Sequence, residues 1–123
     1  MIKKKILIIG AGGHARSCLE IILLEKKLEV IGFTDNKFRK KLNNLKVLGS
    51  DRDIHKLRKK SDNIFIGLGG IKDIALRWLI YKRAKNLKFN FPIIKSPNSY
   101  ISPLSKIDEG SIVMNQAIIN TNV

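Results

Sequence analysis

Over residues 1–95 the apolar positions follow two alternating rhythms. Ile6-Leu7-Ile8-Ile9 is an unbroken apolar run that stops at Gly10, as in a parallel strand buried on both faces. Behind the turn Gly10-Ala11-Gly12-Gly13-His14-Ala15, the residues Ala15, Cys18, Leu19, Ile22 and Leu23 recur at helical spacing and predict a helix from Ala15 to Lys27. Leu28–Phe33 predicts a second strand, closing on Thr34-Asp35-Asn36. A polar, lysine-rich loop leads to Lys46-Val47-Leu48-Gly49-Ser50, and Ser50 or Asp51 caps a short helix that runs toward Lys60. Asn63–Leu68 is a third buried run, ended by Gly69-Gly70. Ile71, Ile74, Ala75, Trp78 and Tyr81 then mark one face of a helix lasting to Asn86, and Lys88–Phe91 reads as a last strand before Pro92. Strands alternating with helices predict an α/β fold with a mostly parallel, doubly wound sheet.

From Ile101 the period becomes six. Ile101, Ile107, Val113 and Ile119 open successive hexads, and Ser105, Ser111, Ala117 and Val123 hold the fifth positions. A hexad with an aliphatic first position and a small or β-branched fifth is the pattern of a parallel β-helix, in which three hexads make one triangular coil. Residues 101–118 supply one coil, so a β-helix begun here is unfinished at Val123. The expected organisation is an α/β unit over residues 1–95 and an incomplete β-helix over 96–123.

Charge divides the chain at the same place. Of 24 Lys and Arg and 10 Asp and Glu, residues 1–99 hold 23 and 8, leaving the tail almost without basic residues. The net charge of +14 suits an anionic ligand, but the basic residues are spread without aromatic interleaving or a nucleic-acid motif, which ranks a nucleic-acid binder last. Cys18 is the single cysteine and cannot form an internal disulfide, which suggests a reducing, cytoplasmic setting. No apolar run is long enough to span a membrane, and Met1–Ile9 is too short to be a signal peptide.

Candidate chemistry gathers at the glycine turns. In doubly wound sheets a ligand sits outside the carboxyl ends of strands, where the strand order reverses. Gly10-x-Gly12-x-x-Ala15 fits the dinucleotide fingerprint: glycines let a phosphate approach the backbone, and the next helix offers it free N–H groups. Asp35 stands where a carboxylate can accept from a ribose hydroxyl or a base. If the Asn63–Leu68 strand neighbours the first, Gly69-Gly70 edges the same crevice. His14 sits in the turn, His55 reads as an exposed helix residue, and Cys18 as a packed thiol. No order or motif joins His14, Ser17 and Asp35 as a triad, and no cluster has metal-ligand spacing.

Ile8-Ile9-Gly10-Ala11-Gly12-Gly13-His14-Ala15, Gly32-Phe33-Thr34-Asp35-Asn36, Val47-Leu48-Gly49-Ser50, Ser102-Pro103, Ile107-Asp108-Glu109-Gly110 and Ile118-Ile119-Asn120-Thr121 follow one another in order. In this combination the chain resembles bacterial sugar acetyltransferases of the sialic acid O-acetyltransferase and bacillosamine N-acetyltransferase type. The resemblance implies a Rossmann-like domain that binds a nucleotide-linked sugar, usually through UDP, and a left-handed β-helix that trimerises and binds acetyl-CoA between subunits. It implies a role in surface-glycan biosynthesis, with no metal. By position, Gly10, Gly12, Gly13 and His14 would line the diphosphate and sugar, Asp35 and Asn36 would face the uridine, and Gly69 and Gly70 would border the crevice. Many members carry a second acid where this chain has Asn36, which leaves the nucleobase open. The family's histidine base would lie beyond Val123, so no catalytic residue is expected in this chain, which is read as truncated within the β-helix and inactive alone. The alternative is an NAD(P)-linked oxidoreductase domain built on the Gly10–Ala15 fingerprint.

Overall fold

The computed structural model describes residues 2–37, 41–70 and 74–123. Strand β1 (Lys4–Ile9) leads into helix α1 (Gly13–Glu25) and returns as β2 (Leu28–Thr34). A hairpin of β3 (Lys41–Leu42) and β4 (Leu45–Gly49) follows, then a 3-10 turn (Asp51–Asp53) continuous with a short helix α2 (Ile54–Leu57). β5 (Asn63–Ile66) and helix α3 (Ile74–Asn86) complete the α/β part. The sheet order is β3-β4-β2-β1-β5, with β1 parallel to both β2 and β5 and β4 parallel to β2. The α/β expectation holds, and strand order reverses at β1.

Strand β1 shows why its sequence is unbroken. Ile6 and Ile8 face a layer made by Ala15, Cys18, Leu19, Ile21 and Ile22 of α1 with Phe33 and Phe65. Leu7 and Ile9 face the opposite layer, made by Ile54, Leu57, Ile64, Ile80, Ala84, Phe89 and Phe91. Both faces of a central parallel strand are covered, so polar alternation has no place in it.

Several elements differ from expectation. Helix α1 starts at Gly13 and ends at Glu25, where Lys26 takes a left-handed conformation (φ 60°) and its N–H reaches Ile22 O. Leu23 is exposed, and Ile21 takes its place in the core. The loop after Asn36 contains a hairpin that pattern reading passed over. Asn43 and Asn44 both have positive φ (48° and 66°), the conformation of the tight hairpin turns that asparagine tolerates. Helix α2 stops at Leu57, well short of Lys60.

Of the face of α3 expected to turn inward, Ile74, Ala75 and Trp78 are exposed and only Tyr81 is half-buried against the core. Ile74 and Trp78 are 59% and 60% exposed, whereas Ile80 and Ala84 are buried and Leu76 and Leu87 half-buried. Both faces of this helix carry apolar residues, so the sheet, through its spacing of four (Leu76, Ile80, Ala84), decides which turns inward. Ile71, assigned to the same face, lies outside the described residues. Lys88–Phe91 is not a strand. Lys88 is left-handed (φ 65°) and Phe89 N–H closes on Ala84 O, so these residues finish α3 and only Asn90 bridges to Asn63.

The tail forms four two-residue strands, β6 (Ile94–Lys95), β7 (Tyr100–Ile101), β8 (Ile112–Val113) and β9 (Ile118–Ile119). β6 pairs in parallel with β8 and β7 with β9, Ile94 opposite Ile112 and Tyr100 opposite Ile118. A β-helix is not present: the chain winds through one eighteen-residue coil and pairs only the start of a second on it, short of the several stacked coils that make one. Of the first hexad positions, expected to point inward, Val113 is buried and Ile101, Ile107 and Ile119 are half-buried; Val123, a fifth position, is exposed. Ile94 is buried in the α1-side core, with Ile112 and Met114 packed against it, so the start of the tail is fastened to the sheet domain.

Candidate functional site

Gly10 ends β1 with φ 94°, a conformation L side chains rarely adopt, and a Cβ there would stand 2.9 Å from Leu68 Cδ2. Its N–H donates to Thr34 O (3.0 Å), tying the turn to β2. Gly12 is different. Its φ is −88°, and a Cβ there would meet nothing within 4 Å. Neither strain nor packing requires glycine at this position, so what glycine keeps clear is the space in front of it. Gly12 also caps α1 without any side-chain hydrogen bond, and the first turn holds no acidic residue. The first helical bond is Arg16 N–H to Gly12 O, so the N–H groups of Gly13, His14 and Ala15 have no acceptor within the helix.

These groups open on a crevice of about 570 Å³ at the carboxyl edge of the sheet. Gly10, Gly12, Gly13, His14, Asp35, Asn36, Gly69 and Gly70, singled out in the sequence, all line it. They meet there because β1 and β5 are neighbours, which sets their following loops side by side. The contact is close: a Cβ on Gly69 would lie 2.6 Å from His14 Cβ. The His14 ring lies 3.5 Å from Cys18 Sγ, and Ser17 donates to Gly13 O. Cys18 is buried, and burial pushes its thiol up to about 11 against a weaker opposing pull from Arg77, so it is a packing residue and no nucleophile at neutral pH.

Asp51 and Thr34 are the residues that sequence reading missed. Ser50 takes the capping role, accepting from Arg52 N–H while Asp53 accepts from Ser50 N–H, and this frees Asp51 to turn into the crevice. Asp51 is 4% exposed. Its Oδ1 accepts from Thr34 Oγ1 (3.0 Å) and its Oδ2 from Asn36 Nδ2 (2.7 Å), while its own N–H donates to Asn36 Oδ1 (3.0 Å). Asp35 is also buried, and its Oδ1 accepts from Lys37 N–H within its own turn. The signal for Asp51 was available: it lies two residues after Leu45–Gly49, and reading that run as a strand puts it on the ligand edge.

His55 is exposed on α2, outside the crevice. Among the described residues no group of three His, Cys, Asp or Glu could hold a metal ion, and no helix is long and apolar enough to cross a membrane. The outer face of α3 forms a second hollow of about 310 Å³ with the tail, where Trp78 stacks on Tyr81 (5.5 Å) and Tyr81 meets Phe91 (4.9 Å). Glu109 accepts from Tyr81 Oη (2.8 Å) and pairs with Lys85 (2.6 Å).

A doubly wound sheet with a glycine turn at its switch point defines a Rossmann-like α/β domain. Residues 5–84 match the family model described as the PglD N-terminal domain, and the chain belongs to that family. Among solved structures, it is similar to the acetyltransferase domain of PglB from Neisseria gonorrhoeae FA1090 in complex with acetyl coenzyme A, at 27% identity and a TM-score of 0.83 over 95% of this chain. It is similar also to a perosamine N-acetyltransferase mutant from Caulobacter crescentus in complex with CoA and GDP-perosamine, at 26% identity and a TM-score of 0.87 over 99% of this chain. The chain spans 56% of the length of each. An engineered D-amino acid dehydrogenase bound to NADP+ aligns at 16% identity with a TM-score of 0.50, a likeness of fold alone. No curated protein sequence matches significantly.

Proposed function

We propose that the crevice binds a nucleotide-linked amino sugar, with its diphosphate at the Gly10–Gly13 turn, and that the chain is the substrate-binding part of an acetyl-CoA-dependent sugar acetyltransferase. The observation that carries this is Gly12: an unstrained glycine with open space before it, at the uncapped start of α1. A diphosphate fills that space and takes up the helix N–H groups. Gly10, Gly13 and His14 border the diphosphate and sugar, Asp35 and Asn36 the nucleoside, and Gly69 and Gly70 the opposite wall. UDP is the expected carrier, although the Caulobacter relative holds GDP-perosamine.

Residues 1–95 act as the sugar-nucleotide domain, and 96–123 as the first wound turn of the acetyl-CoA-binding part. The eighteen-residue offset of both tail pairs, Ile94 to Ile112 and Tyr100 to Ile118, supports the hexad reading, since three hexads make one coil. The enzyme works in the cytoplasm as a homotrimer, in surface-glycan biosynthesis.

Titration calorimetry with a UDP-linked amino sugar, UDP alone and NAD tests the reading. The sugar nucleotide is expected to bind most tightly. Equal or tighter binding of NAD overturns it.

A further inference from the structure

Across the carboxyl edge of the sheet the crevice runs from Gly67–Gly70 after β5, over the glycine turn after β1, past Asp35 and Asn36 after β2, to Asp51 after β4. Strand β4 lies two strands from β1, roughly 10 Å at the usual strand spacing. That is comparable to the reach from a diphosphate to the base it carries. Asp51 therefore closes the nucleoside end.

Its chemistry is unusual for a buried carboxylate. The donors holding it, the Thr34 hydroxyl and the Asn36 amide, are both neutral. The described ion pairs do not include it. A carboxylate has about four acceptor positions, and among the described residues two donors reach them. The two neutral donors hold the group, one on each oxygen, while the reciprocal Asn36 contact to its backbone N–H fixes the loop beneath it. Thr34 also accepts from Gly10 N–H (3.3 Å), so the acceptor is tied to the glycine turn that receives the diphosphate. Asp35 is occupied with its own turn through Lys37 N–H.

We propose that Asp51 selects the nucleobase, an inference that rests on the nucleotide reading above. Its carboxylate accepts a ring N–H, which uracil offers at N3 and guanine at N1. Cytosine presents a lone pair at the corresponding ring nitrogen and donates on that edge only from its exocyclic N4 amine, which is displaced from the position that the pinned carboxylate serves. That pairing leaves two buried acceptors face to face, which costs binding.

The test is calorimetry on the 123-residue chain with UDP, GDP and CDP. The wild type is expected to bind UDP and GDP about tenfold or more tightly than CDP, the size of one well-placed contact. Asp51→Asn turns one acceptor oxygen into an N–H donor at nearly constant shape. It is expected to lower UDP affinity, hold or raise CDP affinity, and so shrink the UDP-to-CDP ratio about tenfold. Retained CDP binding also reports that the variant is folded. N3-methyl-UDP on the wild type removes the donor without touching the protein, and binding is expected to fall by a similar factor. Wild-type affinity equal for UDP and CDP overturns this inference and leaves the sugar-nucleotide reading standing. So does an Asp51→Asn variant that weakens both equally, which would make Asp51 a scaffold residue. A chain that binds none of the nucleotides overturns both.

Discussion

Gly10 and Gly12 stand two residues apart and are glycine for different reasons. Gly10 is required by its backbone and by Leu68, so Gly10→Ala forces a Cβ into a left-handed conformation at 2.9 Å. Chemical denaturation is expected to show a loss of about 1–3 kcal/mol for that variant. Gly12 meets neither demand, so Gly12→Val is expected to cost only the N-cap preference of about 1 kcal/mol while lowering sugar-nucleotide affinity about tenfold or more. A Gly12→Val chain with unchanged affinity would sink the phosphate assignment. In the sequence both glycines read alike, as letters of one fingerprint, because φ and the surrounding space belong to the folded turn. Asp51 was harder still to see. Its neighbours Thr34 and Asn36 are 17 and 15 residues away, and only the β2–β4 pairing brings them together.

At the level of elements, α3 makes the sharpest contrast between pattern and packing. Ile80 is fully buried against the sheet and Ile74 mostly exposed, so Ile80→Ala is expected to cost about 2–5 kcal/mol and Ile74→Ala less than about 0.5 kcal/mol. Equal losses in urea titrations would mean that the helix is rotated from the orientation described. The outer face is not idle, since it grips the tail through Glu109. The Lys85 ammonium, and then the Tyr81 hydroxyl, hold the Glu109 carboxyl below its ordinary value of 4.5, and the same contact raises Lys85. A carboxyl depressed in the folded state contributes stability that is fully present above its unfolded value and is lost as pH falls through the folded one. The difference in thermal midpoint between the wild type and Glu109→Gln is therefore expected to be small and constant above about pH 5 and to vanish on acidification. It is also expected to shrink in high salt, because all three groups face water. A difference that persists at pH 3 would show that the carboxyl contributes through packing, not charge.

For the whole molecule, the tail decides what the 123 residues can do alone. Leu104, Ile118 and Val123 are exposed on the wound turn, Ile118 at 70%. Apolar groups and open strand edges so placed favour association. Sedimentation of this segment is expected to show concentration-dependent self-association that Ile118→Lys reduces. A chain that stays monomeric at every concentration would show that these exposed residues do not drive association.

The amino-acid sequence by itself determined the alternating α/β order, the apolar β1, the glycine turn and eight of the residues that line the crevice after β1, β2 and β5: Gly10, Gly12, Gly13, His14, Asp35, Asn36, Gly69 and Gly70. Those features are local: a strand buried on two faces needs consecutive apolar residues, and a turn beneath a phosphate needs glycines next to one another in the chain. Tertiary structure decided the rest. It chose the inner face of α3 between two apolar stripes, made Lys88 and Phe89 the close of a helix, formed the Asn43-Asn44 hairpin, and drew Asp51 under Thr34 and Asn36. The physical reason is common to these cases. Each depends on which distant segment lies alongside, and a one-dimensional period carries no record of its neighbour across the sheet.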